Sequence, residues 1–479
     1  MSEVKRNLIA GQWAEFTKSK SNKNPADLTD IIGEYAVGSE QDVNAAVASA
    51  KNAFNAWATA SPQVRHDLLD KVGNLMAARS QEIGTILARE EGKSLAEAVG
   101  ETMRASQVFK FFAGEALRMT GDNIASIRPN INIDVTREPL GIVGIITPWN
   151  FPIAIPAWKI APALAFGNCV IIKPADLTPA CAHIIAELLV ECGAPDGVFN
   201  LVMGRGSVVG EAMLNHPDIA AITFTGSVET GKHVALKCTE THKKFQLEMG
   251  GKNPMVILDD ADLDLAVAAC INGAFYSTGQ RCTAPSRFIV QKGIHDAFVA
   301  KMKQEMTKLT IGNPLDSTVN IGPVVNEQQL KSNLAYIELA KQEADEVFGG
   351  EQINLDQQGY YQRPALFIGT TNDMRINQEE IFGPCASVIK VEDYDEALKV
   401  ANDTGFGLAA GICTQSLKYA TKFKRQSEAG MVMVNLPTAG VDYHVPFGGR
   451  KGSSYGAREQ GQYAVEFFTI VKTAYTFAG

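Results

Sequence analysis

The feature that most constrains the fold is the stretch 141–257, in which short apolar runs alternate with helical patterns. The runs Ile142–Ile146, Val170–Ile172, Val198–Val202 and Ala221–Phe224 contain no polar alternation, which is typical of strands covered on both faces. Their spacing suits right-handed crossovers between parallel strands. The pattern predicts a doubly wound parallel sheet, a fold that commonly binds a nucleotide.

A helix with clear boundaries is predicted between the second and third runs. Thr178 stands at its N-cap position, Pro179 in its first turn and Gly193 at its end. Residues 43–118 also have helical spacing, and a second α/β stretch runs from Asp262 to about residue 426. The chain as a whole is therefore predicted to belong to the α/β class.

Two segments outside this pattern alternate apolar and polar residues with a period of two. They are Asn130–Arg137 and Phe467–Phe477, and each has an apolar face without an obvious partner in its own domain. Unpaired strands of this kind would be exposed edges that promote aggregation. We therefore expect each of them to be covered by a partner outside its own domain.

The composition argues against several classes of protein. The length of 479 residues favours two or three domains, and a net charge of −9 without a basic run argues against nucleic acid as a partner. No apolar run reaches the roughly 18 residues needed to cross a membrane, and the N-terminus lacks the apolar core of a secretory signal. Eight cysteines without a CxxC pair predict free thiols, no metal site and a cytoplasmic location.

Cys282 is the cysteine whose surroundings suggest chemistry. It follows an apolar helical face and the Gly279-Gln280 loop, from which its side chain can project into a cleft. The alternative is an inert buried thiol, and this is the preferred interpretation for Cys181, Cys192 and Cys270, which fall on helical apolar faces.

Three further motifs contain residue types that suit catalysis or nucleotide binding. Glu248 precedes two glycines, although a carboxylate in a turn is usually just solvated. Asn150 follows the first strand, where a helix N-cap is the alternative. Gly226 and Gly231 flank a strand-to-helix turn whose backbone amides could approach a pyrophosphate, and a tight turn that requires glycine is the alternative.

Taken together, these motifs closely resemble the aldehyde dehydrogenase superfamily, from about Ile9 to the final strand. The resemblance implies a Rossmann-like doubly wound cofactor domain in residues 1–119 and 140–249 and a second, catalytic α/β domain in 250–450. It implies a small β oligomerisation arm and C-terminal segment in 120–139 and 451–479. In the family such arms extend a neighbouring subunit's sheet, so a homo-oligomer is expected, as a dimer of dimers.

The resemblance also assigns roles to individual residues. It implies Cys282 as nucleophile, Glu248 as general base and Asn150 as oxyanion-hole donor. The cofactor-binding residues that it implies are Thr147, Pro148, Trp149, Lys173, Ala175, Asp176, Gly206, Phe224, Thr225, Gly226, Ser227, Gly231, Met249, Glu380 and Phe382. The substrate residues that we predict are Arg118, Phe151, Arg281 and Phe447.

The implied reaction oxidises an aldehyde through a thiohemiacetal and a thioester on Cys282, which water activated by Glu248 then hydrolyses. The presence of Glu248 separates the chain from relatives that transfer the acyl group to coenzyme A. A cysteine hydrolase without redox chemistry is a second hypothesis, but it leaves Lys173 and the Gly226–Gly231 turn unexplained. A non-catalytic binding protein is a third, and it would be expected to lose Cys282.

The sequence predicts that both NAD and NADP are used. Asp176 follows the second strand, where an acidic side chain can accept a hydrogen bond from the ribose 2′-hydroxyl and would repel a 2′-phosphate. Aspartate is shorter than glutamate, however, and Lys173 is close enough to help neutralise a phosphate.

The substrate prediction depends on two arginines. Arg281 directly precedes Cys282, and Arg118 lies on a helix that lines the substrate tunnel in the family. Two arginines at one tunnel would suit an ω-carboxylated aldehyde. The loop 279–284 and the segment 457–461 most resemble those of α-ketoglutaric semialdehyde (2,5-dioxopentanoate) dehydrogenases of sugar-acid catabolism, with succinate-semialdehyde dehydrogenases as the alternative. A salt bridge from Arg281 to an acidic neighbour is the competing interpretation.

Overall fold

The structure, a computed structural model, describes residues 3–477 and residue 479. Its helices are α1 (Glu40–Ala58), α2 (Pro62–Ala78), α3 (Ser80–Glu91), α4 (Leu95–Ala116), α5 (Ala154–Ala165), α6 (Pro179–Glu191), α7 (Glu211–Asn215), α8 (Val228–Glu240), α9 (Leu263–Phe275), α10 (His295–Met306), α11 (Glu327–Glu343), α12 (Arg375–Gln378), α13 (Tyr394–Asn402), α14 (Leu417–Gln426) and α15 (Val465–Phe468).

Its strands are β1 (Leu8–Ile9), β2 (Gln12–Trp13), β3 (Ser19–Asn24), β4 (Asp27–Ala36), β5 (Asp122–Ala125), β6 (Ile131–Pro139), β7 (Ile142–Ile146), β8 (Cys169–Lys173), β9 (Phe199–Leu201), β10 (Ile219–Thr225), β11 (Lys244–Glu248), β12 (Asn253–Ile257), β13 (Pro285–Gln291), β14 (Glu346–Gly349), β15 (Gln352–Ile353), β16 (Tyr361–Gln362), β17 (Ala365–Ile368), β18 (Cys385–Val391), β19 (Phe406–Gly407), β20 (Ala409–Cys413), β21 (Met431–Val434), β22 (Arg450–Lys451), β23 (Ser454–Tyr455) and β24 (Thr469–Phe477).

The first large sheet has the order β2-β1-β9-β8-β7-β10-β11-β23. Its five central strands are parallel, and β1 and β23 close the two sides antiparallel. Strand order reverses between β7 and β10, which is the position where doubly wound sheets open a crevice for a ligand. The predicted doubly wound sheet is confirmed, and β7 has the bounds of its apolar run.

The second large sheet has the order β14-β17-β18-β13-β12-β20-β21, with all strands except β14 parallel. The chain crosses from one sheet to the other at residues 249–252, since β11 ends at Glu248 and β12 begins at Asn253. The carboxyl edge of the first sheet therefore faces the amino edge of the second. The functional side chains described below lie along this junction.

The two alternating segments pair with each other. β24 runs antiparallel to β6 from Thr469 against Pro139 to Phe477 against Ile131, and β5 completes a three-stranded sheet. Most of β24 is exposed, including Ile470, Val471 and Phe477. The prediction of two strands is confirmed, and their partners lie in the same chain.

One prediction of local structure is confirmed and another needs correction. The helical pattern over 43–118 is confirmed as four helices, α1 to α4, which are separated by short turns, one of them at Gly92 with a positive φ of 100°. Thr178 does occupy the N-cap of α6, but its hydroxyl has no hydrogen-bond partner in the described chain. Glu90 from α3 instead accepts from the Ala180 and Cys181 amides. A carboxylate supplied by another helix has taken the place of the local cap.

Candidate active site

A cavity of about 310 Å³ lies at the junction of the two sheets, and Cys282 lies in its wall. We call it the Cys282 cavity. Its lining comprises Lys93, Glu97, Gly100, Glu101, Arg104, Phe151, Ala154, Ile155, Trp158, Asn272, Ser277, Arg281, Cys282, Thr283, Ala439, Gly440, Val441 and Phe447. Three of the four predicted substrate residues, Phe151, Arg281 and Phe447, line it.

The position of Cys282 is fixed by the strained turn that precedes it and by a hydrogen bond from the side chain of Asn253. After α9 the chain turns sharply through Ser277 and Thr278, both with positive φ. Asn253, the first residue of β12, donates from its amide to the carbonyl oxygen of Cys282 at 2.7 Å. Burial, with Glu380 and Glu248 nearby, raises the pKa of the Cys282 thiol to about 12. The thiol therefore needs a base before it can act as a nucleophile.

Asn150 lies beside the Cys282 segment in three dimensions. Its side chain is buried and donates from Nδ2 to the carbonyl oxygen of Gln280 at 3.0 Å. The alternative interpretation of Asn150 as a helix N-cap is wrong, because α5 starts only at Ala154. The backbone amides of Ile153 and Ala154 donate to Glu101 instead. The Asn150 side chain therefore contacts the segment that precedes Cys282, but Asn150 is absent from the described lining of the Cys282 cavity, and its role as an oxyanion-hole donor stays a prediction.

Glu248, at the carboxyl end of β11, is buried rather than solvated. Ser454 donates to its Oε2 at 2.5 Å, whereas Oε1 has no partner among the described residues. Burial and the nearby Glu459 carboxylate raise its pKa well above the usual range. The side chain is near enough to influence the Cys282 thiol but is absent from the described lining of the Cys282 cavity. A raised pKa suits a general base at neutral pH.

The predicted cofactor residues follow the carboxyl ends of β7, β8 and β10. Thr147 and Thr225 have buried hydroxyls without a hydrogen-bond partner in the described part of the chain, so each can accept a ligand contact. Lys173 is buried, donates to the Pro174 carbonyl oxygen at 2.7 Å and lies 3.7 Å from Asp176. Burial lowers the pKa of Lys173. These unsatisfied groups fit a dinucleotide at the crevice.

The turn after β10 has the form expected for a phosphate-binding turn. Ser227 caps α8 by accepting from the Thr230 amide, which leaves the first backbone amides at a helix N-terminus. A side chain at Gly226 would overlap the Phe224 ring, and one at Gly231 would overlap the Met249 sulfur. Gly206 differs, because a Cβ there would meet open space.

Glu380 closes the crevice from the second sheet's side. Its carboxylate accepts from the Gly251 amide at 2.8 Å, and burial raises its pKa to about 7. Phe382, with a positive φ of 59°, packs edge-on against Trp149 at a centroid distance of 5.3 Å. The structure thus brings these predicted cofactor residues together from both sheets.

A second cavity, of about 540 Å³, adjoins Ala175 and Asp176. Lys18 from the segment before β3, Lys20 from β3 and Arg205 from the segment after β9 also line it. The carboxylate that was predicted to select the ribose hydroxyl therefore shares this cavity with three basic side chains. The sequence motifs gave no indication of them.

The two predicted substrate arginines behave differently. Arg281 lines the Cys282 cavity, but its guanidinium donates to Glu97 at 2.6 Å, to Ser277 at 3.1 Å and to the Asn272 carbonyl at 3.1 Å. The competing interpretation, a salt bridge to an acidic neighbour, is therefore what the structure shows. Glu97 is fixed because its second oxygen completes a capping box with Ser94.

The prediction that Arg118 lines the cavity is wrong. Arg118 follows the end of α4, its side chain is 58% exposed, and it pairs with Glu115 at 2.7 Å. The cavity is lined by the first half of α4, and Arg118 lies beyond the other end. The arginine that α4 does supply is Arg104. Helical spacing from Glu97 and Glu101 to Arg104 was the signal that could have identified it.

Neither a membrane-spanning helix nor a metal site is found among the described residues. No helix within residues 3–477 is long and apolar enough to cross a membrane. The described residues also contain no group of three or more histidine, cysteine or acidic side chains arranged to hold a metal ion.

Comparison with known proteins agrees with the geometry. The model of the aldehyde dehydrogenase family matches residues 13–474. An alpha-ketoglutaric semialdehyde dehydrogenase of Bacillus subtilis strain 168 is 46% identical over 475 residues, covering 98% of this chain and 97% of the relative. An alpha-ketoglutarate semialdehyde dehydrogenase of Haloferax volcanii is 40% identical over 481 residues, covering 99% of each.

Solved structures show the same fold. An NAD-dependent aldehyde dehydrogenase from Sinorhizobium meliloti has a TM-score of 0.97 and 34% identity, covering 100% of this chain and 95% of that one. An NADP-dependent enzyme of E. coli has a TM-score of 0.95 and 33% identity, covering 99% and 98%. The chain belongs to the aldehyde dehydrogenase family and is an NAD(P)-dependent enzyme that oxidises aldehydes.

Proposed function

We propose that this enzyme oxidises α-ketoglutaric semialdehyde to 2-oxoglutarate, and that Arg104 binds the carboxylate of the substrate. Arg104 is the observation that carries the proposal, because it lines the Cys282 cavity and its side-chain hydrogen bond among the described residues goes to the Gln460 amide and not to a carboxylate. The relatives that share 40–46% of the sequence are named for this substrate. Succinate semialdehyde remains the second candidate.

The contacts of Arg104 leave room for an anion. Its Nη2 donates to Gln460 Oε1 at 3.1 Å, while its buried Nε has no partner in the described residues. Its guanidinium carbon lies 5.8 Å from the centre of the Trp158 ring. Burial disfavours the charged form of Arg104 and lowers its pKa, although the Glu101 and Asp442 carboxylates oppose this shift. A planar carboxylate at the cavity would offset that cost through paired hydrogen bonds.

The reaction begins at Cys282. Its sulfur, after losing its proton, attacks the aldehyde carbon, and the carbonyl π pair moves to oxygen to give a tetrahedral thiohemiacetal anion. The Asn150 amide and the Cys282 backbone N–H would hold this oxygen, and one such donor is worth about 3–4 kcal/mol in comparable sites. Thr147, Lys173, Thr225, Gly226 and Glu380 would hold the dinucleotide. When bound, the nicotinamide would supply the hydride acceptor, so that the thiohemiacetal on Cys282 could lose its hydride, re-form the carbonyl and become a thioester.

Glu248 would complete the turnover. Its carboxylate removes a proton from water, which adds to the thioester carbon and expels the Cys282 thiolate, releasing a carboxylic acid. The hydrogen bond from Ser454 favours the ionised form of Glu248, and the neighbouring Glu459 disfavours it. Glu459 is itself paired with Lys159 in the buried core.

We further propose that both NAD and NADP are used. Asp176 can accept a hydrogen bond from a ribose hydroxyl, whereas Lys18 and Arg205 in the adjoining cavity would offset its repulsion of a phosphate. Steady-state kinetics with each cofactor test this. A preference beyond about a thousandfold either way, roughly 4 kcal/mol, would contradict it.

The assembly proposed is a cytoplasmic homo-oligomer, a dimer of dimers. The β5-β6-β24 sheet exposes Ile124, Val471, Tyr475 and Phe477, an apolar surface larger than scattered single residues. All eight cysteines are free, which suits a reducing compartment. Light scattering at micromolar concentration should give a mass several times the 51.6 kDa of one chain, and a monomer would contradict the proposal.

The substrate is tested by comparing kcat/KM for α-ketoglutaric semialdehyde, succinate semialdehyde, glutarate semialdehyde, betaine aldehyde and hexanal. Arg104→Met should selectively lower kcat/KM for the acidic aldehydes. The loss should correspond to about 2–5 kcal/mol of transition-state stabilisation, as expected for a buried charge pair. Arg118→Met is the matched control and should leave the panel unchanged. Equal losses on hexanal would mean that Arg104 serves the fold, and a best rate with succinate semialdehyde would favour the second candidate.

A further inference from the structure

We propose that Lys93 is a positioning residue for the oxygen-binding side of the Cys282 cavity, and that it acts through the main chain of Asn150. This inference rests on the oxyanion role proposed above for Asn150. The observation behind it is a buried lysine that donates directly to the carbonyl oxygen of Asn150.

Lys93 lies in the turn between α3 and α4, with its side chain only 1% exposed. Its ammonium donates to the Asn150 carbonyl oxygen at 2.7 Å and to Glu101 Oε2 at 2.7 Å. It also lies 3.8 Å from the centre of the Phe151 ring. One charged group therefore contacts both the backbone and the neighbouring side chain of the segment that presents the Asn150 amide.

Glu101 extends this contact to the start of α5. Its Oε1 accepts from the backbone amides of Ile153 and Ala154, each at 3.1 Å. The segment 150–154 is thus held at three points by one ion pair from the turn and from α4. Charge-assisted hydrogen bonds of this kind are stronger and more directional than neutral ones. Loss of Lys93 would leave Glu101 buried and unpaired, so the segment would be expected to shift.

The same turn holds the other side of the oxygen site. Glu91 Oε1 accepts from Gln280 Nε2 at 3.3 Å, and Gln280 Oε1 accepts from the Val325 amide at 2.9 Å. The Gln280 carbonyl oxygen in turn accepts from Asn150 Nδ2. Glu91, the last residue of α3, therefore contacts the segment around Gln280, and Lys93, two residues later, contacts the segment around Asn150. These two segments carry the proposed donors.

Electrostatics support a permanently charged Lys93. Although burial alone would lower its pKa, Glu101 and Glu91 raise it above the ordinary value. The largest charge effects on the Cys282 thiol come instead from Glu380 and Glu248. Removing the Lys93 charge should therefore disturb the oxygen site more than the reactivity of the thiol.

This difference defines the experiment. Lys93→Met should lower kcat for aldehyde oxidation by about tenfold or more, since losing a whole oxyanion donor costs about 10²–10³-fold. Alkylation of Cys282 by iodoacetamide, followed on the peptide that contains it, should stay within about twofold of the parent rate, because displacement of iodide develops no oxyanion. Lys110→Met, which removes an exposed lysine of α4 paired with Asp70, is the matched control and should change neither rate.

A double-mutant cycle tests the route through Asn150. If Lys93 acts through Asn150, the double variant of Lys93→Met and Asn150→Ala should be no slower than Asn150→Ala alone. Multiplicative losses, or alkylation that falls in parallel with oxidation, would overturn the proposal. If Lys93→Met does not fold, Glu101→Gln, which keeps the shape and an acceptor, should show the same selective loss of kcat, and an unchanged kcat would overturn it. An Asn150→Ala variant with the parent rate would instead refute the role of Asn150 itself.

Discussion

The dinucleotide crevice and the Cys282 cavity are built in different ways. Most of the crevice is formed by short segments that directly follow β7, β8 and β10. Glu380 and Phe382, from the segment before β18, close it from the second sheet. Each of these residues lies within a few residues of a strand. The cavity is formed by α4, by α5 and by loops that lie far apart along the chain, from Lys93 to Phe447. The residues of the crevice can therefore be predicted from the ends of the strands in the sequence. The residues of the Cys282 cavity cannot, because they depend on how distant elements pack.

The largest effect on activity is expected when the nucleophile of the Cys282 cavity is replaced and the crevice is left intact. Cys282→Ser should lower aldehyde oxidation by about a thousandfold or more, because the hydroxyl is a far weaker nucleophile than a thiolate. Dinucleotide binding, measured by calorimetric titration, should stay within about twofold, since Cys282 does not lie at the strand ends that form the crevice. Weak dinucleotide binding in this variant would mean that the two regions are not independent.

Glu248→Gln tests the junction between the regions. It should keep the first hydride transfer and lose about 10²–10⁴-fold in turnover, because the amide cannot take a proton from water. Rapid mixing should then show a burst of reduced cofactor of about one equivalent per active site. Glu240→Gln, at an exposed site on α8, is the control, and turnover of Glu248→Gln at the parent rate would assign water activation elsewhere.

A smaller effect is expected when the crevice alone is changed. Gly231→Val should weaken dinucleotide binding by about tenfold or more, since its side chain would overlap the Met249 sulfur and overpacking costs about 1–3 kcal/mol. Gly405→Val is the matched control, because Gly405 is not a predicted site residue and its Cβ would enter open space. Both variants should keep the parent rate of Cys282 alkylation. Equal binding in the two would contradict the steric argument.

The mildest test uses pH to probe the cavity alone. Because burial raises the pKa of Cys282 to about 12, its thiolate fraction should rise about tenfold for each pH unit between 7 and 9. Iodoacetamide alkylation of the cofactor-free enzyme should follow that slope without a plateau. A plateau near pH 8 would show that the thiol is less buried, or better stabilised as a thiolate, than the structure indicates.

Local signals explain what the sequence predicted correctly. Unbroken apolar runs identified the parallel strands, since only strands covered on both faces tolerate them. Residues next to such strands, such as Thr147 and Lys173, then fall at the crevice by chain connectivity. The α6 cap shows the limit of this reasoning, because Thr178 has the right position but Glu90, 88 residues earlier, accepts the hydrogen bonds.

The sequence by itself therefore determined the α/β class, the family and the segments that meet at the junction of the two sheets. Tertiary structure decided which arginine faces the substrate cavity. Arg281 precedes the nucleophile yet is neutralised by Glu97, and Arg118 lies exposed past the end of α4. Arg104 lines the cavity, and its side-chain hydrogen bond among the described residues goes to Gln460 and not to a carboxylate. The physical reason is that a side chain's type is local, whereas the charge left to it after burial depends on partners that only folding brings within hydrogen-bond distance.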